Sequence, residues 1–221
     1  VPRKYDERAG FGEAPTMAID FYTWNTPNGR KISVALEEMG LAYEMKPVNI
    51  GAGEQFDPAF LAISPNNKIP AIVDTEGPGG PYTMMESGAI LIYLAEKTGK
   101  FLPKDPRDRY ITMQWLMFQM GGVGPMFGQT HHFLRSAKED VPYGKKRYHA
   151  ETKRLYGVMN KRLGEARYLA GDEYTIADIA TVFPDFELIR SLGCGAVINL
   201  PVSLGGELAA TINLLDAEQS Y

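Results

Sequence analysis

The chain reads as an α/β unit followed by an all-α unit and a β-like tail, and three observations lead there. Residues 16–98 alternate β-rich runs with helical periodicity in the order strand, helix, strand, then helix, strand, strand, helix. Gly99-Lys100-Phe101-Leu102-Pro103-Lys104-Asp105-Pro106 then stops helices on both sides, and beyond it apolar residues recur at helical spacing. The last stretch returns to strand-like composition. The implied divisions are an N-terminal extension at 1–15, an α/β unit at 16–102, a helical unit at 106–182 and an atypical segment at 183–221.

The run 16–24 (TMAIDFYTW) is rich in β-branched and aromatic residues, and Asn25-Thr26-Pro27-Asn28-Gly29 ends it. Ile32, Ala35, Leu36 and Met39 then recur at helical spacing, with Arg30, Lys31, Glu37 and Glu38 mostly elsewhere on the wheel. A second strand is expected over 43–50, a short helix over 57–63, and strands over 71–74 and 82–85 joined as a hairpin by Gly77-Pro78-Gly79-Gly80-Pro81. The helix expected over 87–97 is apolar nearly all round, so it needs cover on two sides. Long helices are expected over 107–120 and 143–163, the second with Leu155, Met159 and Leu163 at four-residue spacing. Thr175-Ile176-Ala177-Asp178 has the form of a capping box, giving Thr175 and Asp178 structural roles at a helix start. An interior proline costs ~3 kcal/mol, so Pro184 should end that helix near Val182.

Composition narrows the function. At 221 residues the chain has room for one sizeable core or two smaller ones. With 23 Lys+Arg against 27 Asp+Glu its formal charge is −4, and no basic run suits nucleic acid. The most apolar long segment, 115–128, is interrupted by Gln119 and by Gly121-Gly122-Val123-Gly124-Pro125, and it falls short of a ~20-residue membrane span. Residues 1–15 lack the apolar centre of a secretory leader, and the single cysteine, Cys194, suits a reducing compartment, so a cytoplasmic protein is expected. His131 and His132 diverge by ~100° on a helix, His149 is isolated, and no zinc-like spacing occurs; no metal is expected. Met113, Met117, Met120 and Met126 read as core filling, and Cys194 as a small buried or incidental side chain.

The chemistry-bearing stretch is Ile63 to Val73 (ISPNNKIPAIV), followed by Glu86-Ser87-Gly88-Ala89-Ile90. Pro70 cannot donate to a ladder, so it belongs at a strand boundary or in a tight turn, where either a trans or a cis bond is open to it. That leaves Ile69 free to offer its backbone to an extended peptide, whose charged end Glu86 and Ser87 could hold at a helix N-terminus. Thr26, Asn28 and the positive end of the first helix could stabilise an anion such as a thiolate. Each residue also has a plainer reading. Thr26 suits a helix cap and Glu86-Ser87 a helix start, while Gln55, Lys68, and the trio Lys145, Lys146 and Arg147 suit solvated surface.

Residues 16 to about 181 resemble the cytosolic glutathione transferases. More narrowly, Thr26-Pro27-Asn28-Gly29, Gln55-Phe56, SPNNKIPAIVD, ESGAILIYLAEKTG, GGVGPMFGQTHHF and TIADIA look like the nu-class bacterial enzymes with glutathione-disulfide oxidoreductase activity. The resemblance implies a thioredoxin-like N-terminal domain, a helical C-terminal domain, a homodimer, and glutathione, reduced or oxidised, as cosubstrate. It places Thr26 and Asn28 near the glutathione sulfur and Gln55 and Lys68 along the glycyl end. Ile69 would pair with the cysteinyl backbone ahead of a structural cis-Pro70, Glu86 and Ser87 would bind the γ-glutamyl end, and Arg147 would reach toward a second glutathione. The redox thiol would then be glutathione's own, exchanging with a small disulfide. Conjugation of glutathione to electrophiles, and a non-catalytic glutathione-binding or regulatory role, are the alternatives.

Past Thr181 the pattern changes. FPDFELIRSLGCGAVINLPV, 183–202, resembles the end of a GAF-type ligand-sensing domain, and the continuation through Gly205-Gly206 to Leu215 suits two strands and a turn. About 40 residues are too few for a GAF domain, so a chimeric or rearranged C-terminus is expected.

Overall fold

The computed structural model describes residues 18–181, 200–204 and 207–212. A four-stranded mixed sheet of order β2-β1-β3-β4 lies at its centre. Strand β1 (Ile19–Thr23) buries every second side chain, Ile19, Phe21 and Thr23, the period-two signature of a half-covered strand. It pairs parallel with β2 (Tyr43–Pro47) and antiparallel with β3 (Ala71–Asp74), which pairs antiparallel with β4 (Tyr82–Met85). The parallel pair needs a crossover, supplied by α1 (Pro27–Met39). Helix α2 (Pro58–Ile63) is capped by Asp57, whose carboxylate accepts the Ala59 N–H at 2.7 Å, and its Phe60 packs with Val48 and Ala71.

On the other face, α1 and α3 (Ser87–Thr98) pack together. Ile32, Leu36, Ile72, Ile90, Leu91 and Leu94 are fully buried there, each worth about 1.5–3 kcal/mol relative to exposure. The second cover that α3 requires comes from the helical half. Leu116 of α4 (Pro106–Phe118) and Ile176 and Ile179 of α7 (Ile176–Ala180) join the same cluster. The segment between the halves is tied in, since Leu102 is buried and the Phe101 carbonyl accepts the Ile176 N–H at 2.9 Å. Helices α5 (Gly124–His131) and α6 (Pro142–Glu165) build a second cluster around Val123, Phe127, Leu155 and Met159. The whole is a thioredoxin-like sheet with its helices, followed by a helical C-terminal domain. The capping box is formed, Thr175 Oγ1 accepting from the Ala177 N–H and Asp178 accepting from the Thr175 N–H.

Several expectations need correction. Strand β2 stops at Pro47 because the Asn49 side chain accepts the Gly51 and Ala52 N–H groups at 3.0 and 3.1 Å, turning the chain before Ile50. The helix expected over 107–120 ends its α-geometry at Phe118 but does not stop there. Gln119–Val123 is a π-turn that carries α4 directly into α5. Met117 is 49% exposed, so it does not fill the core. Lys31, assigned away from the apolar stripe, is 1% exposed. Helix α7 does close near the expected end, at Ala180, where the Thr181 hydroxyl donates to the Ala177 carbonyl at 2.7 Å.

In the tail, β5 (Leu200–Leu204) and β6 (Glu207–Ile212) form an antiparallel pair with an irregularity at Val202/Ser203. Cys194, the extension 1–15 and most of the GAF-like stretch lie outside the described residues. Among the described residues no helix is long and apolar enough to cross a membrane.

Candidate functional site

Strand register brings the candidate residues together. Tyr22 of β1 lies opposite Ala71 of β3, which lies opposite Met85 of β4, and Thr23 lies beside Pro47 of parallel β2. The chain therefore leaves β1 toward Thr26, leaves β2 toward Gln55, enters β3 through Pro70 and leaves β4 toward Glu86, all at one end of the sheet.

Thr26 has extended backbone, and its Oγ1 accepts the Gly29 N–H at 3.1 Å, so it does cap α1. That uses a lone pair and leaves the hydroxyl proton free to donate. Gly29 allows the helix to start this close to β1. A Cβ there would stand 2.4 Å from Thr23 Oγ1 and 2.5 Å from the Trp24 carbonyl oxygen. Asn28 is exposed in the first turn.

The loop before β3 is held from below. Ser64 is fully buried, and its hydroxyl donates to the Lys68 carbonyl at 2.8 Å. The Ile69–Pro70 bond is cis, and Ile69 packs against the Val48–Phe60–Ala71 cluster ahead of the β3 ladder. The Lys68 side chain is exposed. Glu86 sits at φ 70, a conformation rare for a side-chain-bearing residue, and makes no side-chain cap of α3. Its Oε1 instead accepts from Asn66 Nδ2 at 3.3 Å, joining the two loops. Ser87 is buried, with its hydroxyl 3.7 Å from Met120 Sδ. Gln55 lies in a 3₁₀ turn (Glu54–Phe56), half-buried, with its Oε1 buried and unpartnered among the described residues.

Arg147 is exposed on α6 in the helical half, and among the described residues no hydrogen bond or ion pair joins it to these loops. Ser64 and Asn66 were not singled out from sequence. Their signal was the SPNN run itself, polar residues hard against a proline-led strand. Lys31 was also passed over, although it stands four residues before Ala35 on the buried stripe. Its ammonium donates to Gln119 Oε1 at 2.9 Å. Among the described residues no three His, Cys, Asp or Glu side chains gather as a metal site.

Comparison with known proteins agrees with this architecture. Residues 26–97 match the glutathione S-transferase N-terminal domain and residues 126–196 the glutathione S-transferase C-terminal domain, the second match running past Thr181. The chain belongs to the glutathione S-transferase family. It is 56% identical over 164 residues to the disulfide-bond oxidoreductase YfcG of Escherichia coli, covering 73% of this chain and 76% of that one. A glutathione transferase family member from Pseudomonas fluorescens, solved with two glutathione bound, superposes with a TM-score of 0.74 at 50% identity, covering 81% of this chain and 79% of that one. A glutathione transferase from Pseudomonas putida, solved with one glutathione disulfide per subunit, gives 0.72 at 47% identity, with 81% and 78% covered.

Proposed function

We propose that this protein is a glutathione-dependent disulfide-bond oxidoreductase whose redox thiol belongs to bound glutathione. The observation that carries the reading is the gathering of Thr26, the cis Ile69–Pro70 step and the Glu86-Ser87 pair at one end of the sheet, in a chain 56% identical to a disulfide-bond oxidoreductase. Thr26 donates its hydroxyl proton to the glutathione sulfur while still accepting from Gly29, and Asn28 adds a second donor. The Ile69 backbone pairs with the cysteinyl residue. Gln55 and Lys68 offer N–H groups to the glycyl carboxylate. The Glu86 carboxylate holds the γ-glutamyl ammonium, and Ser87 with the α3 N-terminus holds the carboxylate beside it. Arg147 serves a second glutathione from the helical side.

In the reaction, one glutathione thiolate attacks a substrate disulfide sulfur, forming a mixed disulfide and expelling a substrate thiolate that takes a proton from water. The second glutathione thiolate attacks the glutathione sulfur of that mixed disulfide. Glutathione disulfide leaves, and the second substrate thiol is released. Two electrons pass from the two glutathiones to the substrate. By its family resemblance we also assign the protein a homodimeric, cytoplasmic state, which sedimentation and fractionation test.

Calorimetry with reduced and oxidised glutathione, beside assays of disulfide reduction and of conjugation to an aromatic electrophile, tests the function. Binding with disulfide turnover is expected. Conjugation without disulfide turnover would make the protein an ordinary transferase, and binding without either reaction would make it a glutathione-binding protein.

A further inference from the structure

Lys31 is a cation where sequence patterning expects none. It is 1% exposed, and so is Gln119, whose Oε1 accepts from the ammonium at 2.9 Å. The opposite amide orientation would set donor against donor, so the assignment follows from the chemistry. Gln119 Nε2 is buried and unpartnered among the described residues. The pair is thus a dry positive centre with donors to spare. A buried cation with no anion beside it among the described residues is costly, and its field extends into the protein around it.

Among the described residues, the charged groups on α1, α3 and α7 are engaged elsewhere. On α1, Arg30 bonds to Asn25, Glu37 bonds to Tyr43, and Glu38 acts on Tyr174. At and along α3, Glu86 bonds to Asn66, Glu96 pairs with Arg109, and Lys97 pairs with Asp74. On α7, Asp178 is turned to the Leu169 and Thr175 N–H groups. The π-turn Gln119–Val123 carries no charged residue. Burial alone moves the Lys31 ammonium, down to about 8, which leaves it charged at neutral pH.

The location gives that charge a target. Side chains on a helix incline toward its N-terminus, which for α1 is the Thr26 end. Gln119 is followed by Met120, whose thioether receives the Ser87 hydroxyl at 3.7 Å and lies where a Cβ on Gly88 would stand, 2.9 Å from Met120 Cγ. The ammonium's partner therefore adjoins the residue that packs on the first turn of α3, and Lys31 itself stands one turn into α1, the helix that starts at the end of the sheet where the glutathione sulfur is placed under the proposed function.

We propose that Lys31, clasped by Gln119, is a positioning residue that acidifies the thiol of bound glutathione. The inference rests on the proposed glutathione site. The sulfur loses its proton to solvent, and the resulting thiolate is stabilised through low-dielectric protein by a charge that never touches it. The coupling is reciprocal, so a bound thiolate strengthens the hold of Lys31 on its own proton.

The test is a titration of the full chain saturated with reduced glutathione, followed by the ultraviolet absorbance of the thiolate. The bound thiol of the parent protein should ionise below the free thiol. In Lys31→Met it should ionise about one unit higher than in the parent, roughly a tenfold loss of thiolate on the acid side. Lys31→Arg should restore most of the difference, and affinity for oxidised glutathione, which has no thiol, should change less than about twofold. An unshifted thiol in the parent protein overturns the inference even if Lys31→Met does not fold. Equal loss of reduced and oxidised glutathione binding in Lys31→Met also overturns it, reducing the pair to a structural clasp. If the parent protein binds no glutathione at all, the proposed function itself falls.

Discussion

Under the proposed function, the Thr26 hydroxyl serves two partners. Its lone pair completes α1 and its proton remains available, so Thr26→Ala should remove both contributions. We expect the cap loss to cost about 1 kcal/mol of stability, read by denaturant melting. Disulfide turnover should fall about 10- to 100-fold, with glutathione affinity moving much less, because the donor we propose acts on the sulfur rather than on the peptide. Equal losses of turnover and affinity would return Thr26 to a plain cap. Glu86 offers the reverse case. Held at φ 70 without capping its helix, it carries backbone strain of about 1–3 kcal/mol. Glu86→Gly should therefore raise the melting temperature while weakening glutathione binding by about 1–3 kcal/mol, the cost of stranding the γ-glutamyl ammonium. A variant that melts lower and binds normally would refute both halves of that expectation. The helix starts at both positions were legible in the residue types. Nothing in the sequence showed that Glu86 would leave its helix uncapped and turn to Asn66, because a positive φ is set by the loop around it.

Elements bounded by chemistry were read almost to the residue, and those bounded by side-chain geometry were not. Strands β3 and β4 fall where expected because Pro70 and the Gly77–Pro81 run delimit them. Strand β2 lost its end to a turn made by the Asn49 side chain, and the glycine-rich run of the helical half became a π-turn, which no periodicity announces. The hairpin is also fastened to α3 by a buried group. Burial alone would raise the carboxyl of Asp74, but Lys97 at 2.8 Å, the Tyr93 hydroxyl at 2.6 Å and the Glu76 N–H together hold it below the ordinary carboxylate range. A carboxyl depressed in the folded state adds stability above its unfolded value of about 3.9, lost as pH falls through the folded value. Lys97→Met should therefore move the acid-unfolding midpoint to higher pH, measured by circular dichroism from neutrality downward. An unmoved midpoint would show that Tyr93 and the backbone suffice.

For the whole molecule, the decisive fact is that the sheet's core continues into the helices through Leu116, Ile176 and Ile179. Leu116→Ala should cost about 2–5 kcal/mol and destabilise both halves together. The chain's 2 tryptophans, Trp24 at the sheet end and Trp115 on α4, make this measurable with single-tryptophan variants. Coincident fluorescence transitions are expected, and separate ones would show that the halves unfold independently. That a second layer must cover α3 was legible in its apolar residues. Which helix faces supply it was not, because that depends on a packing arrangement no local pattern records. The same arrangement bears on how the chain can change over evolutionary time. Substitutions along α4 and α5 alter one contact each, and a single-residue deletion within Gln119–Val123 would leave a regular α-helical turn, because a π-turn spends one residue more on the same rotation and the helix beyond it keeps its bearing. A deletion in the regular part of α5 would instead turn the residues beyond it by about 100° and carry side chains such as Phe127 out of their cluster. A change of one residue in length can therefore be absorbed at this turn, whereas elsewhere in the two helices it would have to arise together with a second insertion or deletion that cancels the rotation.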